Sequence, residues 1–162
     1  LERRARLLSE SLAEATDSVL AHHDLLESTP SILPTTGWTT SAFSRSRMHP
    51  IHNRPLPHPG IDISAIQGTS IFAAAKGRVT RSGWVVGYGY TIEVDHGFGY
   101  TTLYGHISKL IAQRGQEVKR GDVIALVGST GIATSAHLHY EVHVNGVAQD
   151  PKNFILPEQV RY

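Results

Sequence analysis

The chain has no cysteine, which excludes disulfides and any closed thiolate metal site. It has no dominant charge either. Fifteen Lys and Arg stand against fourteen Asp and Glu, a net charge of +1. These residues are scattered rather than striped, so nucleic acid is not an expected partner. No apolar run approaches the roughly 20 residues of a membrane helix. No signal peptide is visible, and the first residue is Leu1 rather than Met. The expectation is a fragment or processed form, with any targeting segment upstream. Its 162 residues suffice for one ordinary domain plus an appendage.

What the chain does have is histidine, and residues 136–143 (AHLHYEVH) concentrate it. Leu138, Tyr140, Val142 and Val144 alternate with His137, His139, Glu141 and His143, a strand pattern with one apolar face and one bearing imidazoles and a carboxylate. His137 and His139 would lie on one face, roughly 6.6 Å apart, so one could bind a metal while the other stands beside it. A solvated strand face would also carry histidines. The run His58-Pro59-Gly60-Ile61-Asp62 adds weight to the metal reading. Fully extended, His58 and Asp62 would be roughly 13 Å apart, and Pro59-Gly60 opposes a helix. A sharp bend at Gly60 would let both side chains converge. His, Asp and one strand His then form a three-ligand set that leaves a fourth position for water, as catalytic zinc requires.

Taken in order, residues 1–28 read as one helix. Leu8, Leu12, Ala15, Val19, His22 and Leu26 follow the spacing of a coiled-coil seam, and Pro30 ends it. This helix either lies on its own domain or ends a longer coiled coil, with helix-mediated self-association or an upstream coiled-coil or membrane segment as candidate partners. Residues 29–57 are turn-rich and read as an extended segment with short strands. Residues 58–162 read as the β-rich domain. Short β-type runs at 61–63, 70–74, 78–82, 91–95, 100–104, 123–127 and 137–144 are punctuated by glycines, which predicts a mainly β fold of antiparallel sheets folded on each other, with one N-terminal helix. Asn145-Gly146 is a two-residue hairpin signal, and Asp150-Pro151 can start a short helical turn through Phe154. Gly87-Tyr88-Gly89 is too short for a dinucleotide loop. Residues 118–127 look like half of a lipoyl-type barrel, but the following turn, residues 128–131, lacks the lysine of such a carrier.

His58 and Asp62, then Tyr104-Gly105-His106, then His137-Leu138-His139, in this order, resemble the lysostaphin/LytM-type zinc endopeptidases, which cut peptide cross-links of bacterial cell walls. The resemblance covers roughly residues 31–156 and includes 68–73, 77–79, 95–97, 115–121 and 128–131. It implies a barrel-sandwich β fold, zinc held by His58, Asp62 and His139, and His106 and His137 facing the water and the scissile carbonyl. It also implies a peptidoglycan peptide substrate and a periplasmic or extracellular place of action at the cell envelope. Two departures stand out: residues 133–136 (ATSA) replace the usual Thr-Gly-Pro, and residues 43–47 (FSRSR) replace Phe-Gly-x-Arg.

A bound zinc would lower the pKa of water toward roughly 7, and the imidazoles of His106 and His137 would move the protons. No HExxH glutamate is present to do so. Which imidazole is the base, the sequence leaves open. A metal-free cell-wall-binding or hydrolase-activating relative is the alternative, although such regulators usually lack some of these five residues. A histidine phosphocarrier would explain neither Asp62 nor the paired strand histidines. Of the other histidines, His96 is expected to be structural, His49 and His52 to rim the groove, His143 to be exposed, and His22 and His23 to be ordinary solvated or seam residues. Tyr104, two residues before His106, is expected either to share its face and hold substrate or to pack.

Overall fold

The computed structural model describes residues 2–49 and 51–157, with Arg47 as backbone only. It begins with helix α1, Glu2–Ser28. The strands follow as β1 Trp38–Ser41, β2 Ser44–Met48, β3 Pro55–His58, β4 Ile61–Ser64, β5 Ser70–Phe72 and β6 Gly77–Val85. Then come β7 Gly89–Gly97, β8 Tyr100–Leu110, β9 Glu117–Val118, β10 Val123–Val127, β11 His137–Val144 and β12 Val147–Gln149.

The strand pairing is antiparallel throughout the main sheet, in the order β1-β4-β11-β8-β7-β6-β9. Strand β10 leaves this path, pairing with both β5 and β8, and β12 extends from β11. A separate hairpin joins β2 to β3. The mainly β architecture expected from the runs of short strands is therefore present. The hairpin signal also holds: β11 turns into β12 through Asn145 and Gly146, both with positive φ (50° and 78°), as the tightest hairpin turn requires. Asp150 caps the 3-10 turn Pro151–Asn153 by accepting from the Lys152 N–H.

The core explains why the sheet folds onto itself. Leu138, Tyr140 and Val142 of β11 are buried in one cluster with Ile61 and Ile63 of β4 and with Ile71, Ile124 and Val127. Each such side chain removed from water contributes about 1.5–3 kcal/mol before chain entropy is counted. Tyr104 belongs to this core. Its hydroxyl accepts from the Ala74 N–H at 2.9 Å and meets Thr102 Oγ1 at 3.0 Å, so its role is packing, and it does not face the groove.

The reason is a bulge in β8. Between the pairs Tyr90↔Ile107 and Ile92↔Tyr104, β8 uses one more residue than β7. His106 takes that extra place with φ +61°, a left-handed conformation that a non-glycine residue adopts only under tertiary constraint. The alternation of faces is broken there. Beyond the bulge β8 exchanges β11 for β10 as partner.

Helix α1 touches the domain only at its end. Its seam residues Leu8, Leu12, Val19 and Leu26 are between 52% and 68% exposed, and no described residue covers them. The docked end is polar: Asp24 pairs with Lys76, Arg120 bonds the Leu26 carbonyl and Glu27, and the Lys76 N–H donates to the Glu27 carbonyl.

Candidate metal centre and catalytic groove

The site forms where three strands meet. In β11 His139 lies opposite Asp62 of β4 on one side and Gly105 of β8 on the other. Asp62 is returned to His58 by the turn at Pro59-Gly60, the bend foreseen from the sequence. Glycine is required at position 60 because a Cβ there would collide with the Tyr140 carbonyl. The result is a tight triangle: His58 Nε2 is 3.1 Å from Asp62 Oδ1, His139 Nδ1 is 2.8 Å from the same oxygen, and the two imidazole nitrogens are 3.2 Å apart. Among the described residues this is the one group whose ligand atoms converge closely enough to hold a metal ion.

The outer nitrogens of both rings are committed elsewhere. His58 Nδ1 lies 2.8 Å from the Ala42 carbonyl, which can only accept, so that nitrogen carries the proton. His139 Nε2 lies 2.9 Å from Glu141 Oε1. With the outer positions acting as donors, the inner nitrogens present lone pairs to a carboxylate. Three electron-rich atoms within hydrogen-bond distance repel one another unless a cation joins them. In the metal-free protein a proton serves. Burial disfavours a charge on His139, but its bonds to Asp62 and Glu141 prevail and push it up to about 9. Burial likewise works against ionisation of Asp62, and the His139 and His58 bonds overcome it, holding the carboxyl well below the usual range.

His106 and His137 stand beside this triangle, their ring centroids 4.7 Å apart. His106 Nδ1 donates to the Thr130 carbonyl at 2.7 Å and His137 Nδ1 to the Ser135 carbonyl at 2.8 Å. In each ring Nδ1 is thus taken up by a carbonyl and Nε2 is left facing the cluster side, with His137 Nε2 3.8 Å from Asp62 Oδ1. Burial, with the neighbouring His137 and His139, lowers His106 to about 4 against the opposing pull of the Thr130 bond. His106 is therefore neutral near pH 7. All five residues singled out by the sequence lie together.

They open onto a groove of about 680 Å³, whose walls include Thr40, Met48, His52, Tyr88 and Thr134. His49 and His52 line this groove as expected. His96 is buried and bonded through both ring nitrogens, to the Lys76 carbonyl and Thr102, a structural role. His143 is not the exposed residue expected from its place near the strand end: it is half-buried, with Nε2 2.5 Å from Glu141 Oε2. Two residues around the site were not foreseen. Tyr88, in a glycine turn dismissed as a nucleotide loop, packs its ring on His139 and donates to Glu141 at 2.7 Å. Glu141 was placed on the histidine face by alternation, but nothing signalled its burial.

Residues 56–151 match the model of "Peptidase family M23". The chain is 44% identical over 111 residues to the DD-carboxypeptidase/endopeptidase Mpg of Neisseria meningitidis serogroup B, a match covering 68% of this chain and 26% of that protein. It spans about a quarter of the length of such curated relatives. Among solved structures, a zinc-containing peptidase from Vibrio cholerae superposes with a TM-score of 0.73 at 33% identity, covering 80% of this chain and 41% of that one. The catalytic domain of lysostaphin from Staphylococcus simulans gives 0.65 at 30% identity, covering 73% and 91%. The likeness to a zinc peptidase implies a metal here too. With a family match over more than half of its length and solved peptidases that superpose on most of it, the chain belongs to peptidase family M23.

Proposed function

We propose that this chain is the catalytic part of a zinc endopeptidase that hydrolyses peptide cross-links of bacterial peptidoglycan, and that it works in the cell envelope, outside the cytoplasm. The observation that carries the reading is the convergence of two imidazole lone pairs on a carboxylate, with 2.8–3.2 Å separations. Ligand atoms about 2.0–2.1 Å from a tetrahedral zinc lie about 3.3 Å from one another. The triangle therefore needs little adjustment to take the ion. His58 Nε2, Asp62 and His139 Nδ1 would hold it, two neutral ligands and one anion.

Zinc, when bound, supplies Lewis acidity toward a peptide carbonyl and toward water. The chain's own residues do the rest. His106 and His137 offer Nε2 atoms at one edge of the cluster, their rings locked by Nδ1 bonds to backbone carbonyls. Neutral His106 can accept a proton from the attacking water. The imidazole that has taken this proton can pass it on to the departing amine. The open groove, walled partly by residues of the β2–β3 hairpin, accommodates an extended peptide.

The test is digestion of purified sacculi of two kinds, one with diaminopimelate–D-Ala cross-links and one with glycine bridges, with product masses measured. Zinc-loaded protein should release new peptide ends, a chelator should stop this, and His106→Ala or His137→Ala should slow it by about 10²–10⁴-fold while retaining zinc. A zinc-loaded wild type that binds sacculi and releases no ends at any pH between about 5 and about 8, where an ordinary histidine changes charge, would establish a non-hydrolytic cell-wall-binding protein instead.

A further inference from the structure

Glu141 is 2% exposed and takes no part in lining the groove, yet its carboxylate is fully engaged. Oε1 lies 2.9 Å from His139 Nε2 and accepts from the Tyr88 hydroxyl at 2.7 Å, while Oε2 lies 2.5 Å from His143 Nε2. A buried carboxylate is costly unless its bonds are all made, and an apolar side chain would fill the same volume at less risk. We propose that Glu141 is a positioning residue which, held by Tyr88 and His143, fixes His139 as the tautomer whose Nδ1 lone pair meets the metal. This rests on the reading that His58, Asp62 and His139 hold a metal.

The chemistry is directional. An ionised carboxylate only accepts hydrogen bonds, so the neutral His139 ring beside it carries its proton on Nε2 and leaves Nδ1 bare. Without that partner the two tautomers of an imidazole lie close in energy, and one of them points a hydrogen at the ion. His143 and Tyr88 each claim an oxygen of Glu141, so the carboxylate cannot rotate away.

Tyr88 adds a mechanical link. Its ring centroid is 5.4 Å from that of His139, and its backbone carbonyl accepts the His106 N–H at 2.7 Å. A Cβ at Gly105 would press on the Tyr88 ring at 3.2 Å, so the absence of a side chain there leaves the ring its room. One residue of the β6–β7 turn thereby ties together the bulge that carries His106, the ligand ring and the carboxylate behind it.

The experiment uses zinc-free wild type, Glu141→Gln, Tyr88→Phe and His143→Gln, each titrated with zinc against a chromophoric chelator. Loss of such an outer partner weakens metal binding by about 10–100-fold, expected here for Glu141→Gln, with smaller losses for the other two. In the zinc-loaded proteins, ¹⁵N-edited NMR follows the His139 Nε2–H. In wild type this proton should be far downfield and slow to exchange; in Glu141→Gln it should move upfield and exchange faster. Affinity within twofold of wild type in Glu141→Gln overturns the proposal, as does weakened stability with an unchanged His139 proton signal. Should Glu141→Gln fail to fold, Tyr88→Phe decides, because it removes one oxygen and keeps the ring; unchanged affinity there also overturns it. A wild type that binds no zinc refutes the metal reading itself, which is a separate result.

Discussion

Protonating His106 should destabilise the metal-free protein, and the size of the effect follows from its surroundings. The ring is 7% exposed, and burial lowers it from the ordinary 6.5 to about 4. Because the folded value lies below the unfolded one, its contribution to stability is complete above about 6.5 and is lost as pH falls through about 4. The whole interval is worth about 3 kcal/mol, and the part between about pH 7 and about pH 5 is worth about 2 kcal/mol. The other site groups interfere little over that range. His139, raised to about 9, loses its contribution only as pH climbs from 6.5, and Glu141, lowered from 4.5 to about 2, loses its own only below 4.5. His96 is also lowered by burial, but it is present in any His106 variant and cancels. The assay is urea unfolding of metal-free wild type and His106→Gln at the two pH values. Wild type should lose about 2 kcal/mol more than the variant on acidification. Equal losses would refute the claim that the fold keeps this imidazole neutral, and with it the argument that His106 stands ready to accept a proton.

Three further outcomes are expected. Asp62→Ala and His139→Ala should each lose zinc on dialysis, since two remaining protein ligands rarely hold it; full zinc content in both, by elemental analysis, would contradict the ligand set. Tyr104→Phe should cost about 1–3 kcal/mol in denaturant unfolding because the Ala74 N–H is left buried without its acceptor, with zinc content unchanged. Removing residues 1–22 should leave the thermal midpoint within a few degrees of wild type, whereas removal through Ser28 should lower it, because Lys76 and Arg120 lose their partners on the helix end; equal midpoints for the two truncations would show that the docked end contributes nothing.

Much of this protein could be read from local sequence, because local rules govern it. The alternation in residues 137–144 placed His137, His139 and Glu141 on one face, and β11 keeps that period without a break. Asn145-Gly146 specified a turn whose positive φ values few other residues accept. Proline and glycine at 59 and 60 forced the bend that returns Asp62 to His58. The 27-residue helix followed from its periodic leucines, but the same pattern could not say what covers them, and the described residues leave them exposed.

Tertiary structure decided the rest, for reasons that no short window contains. The bulge at His106 exists because β8 must pair with β11 and β7 before it and with β10 after it. That exchange of partners turns His106 toward the metal cluster and Tyr104 into the core, although a period of two would have put them on one face. Burial made Glu141 a partner of His139 by closing the sheet over a residue that looks solvent-facing in sequence. Tyr88 reaches both from a turn more than fifty positions away. Residue order set the donors and put Glu141 and Ser135 two positions from the rings they face, but the rings of His58 and His106 acquired their direction only when the fold brought Ala42 and Thr130 against their outer nitrogens.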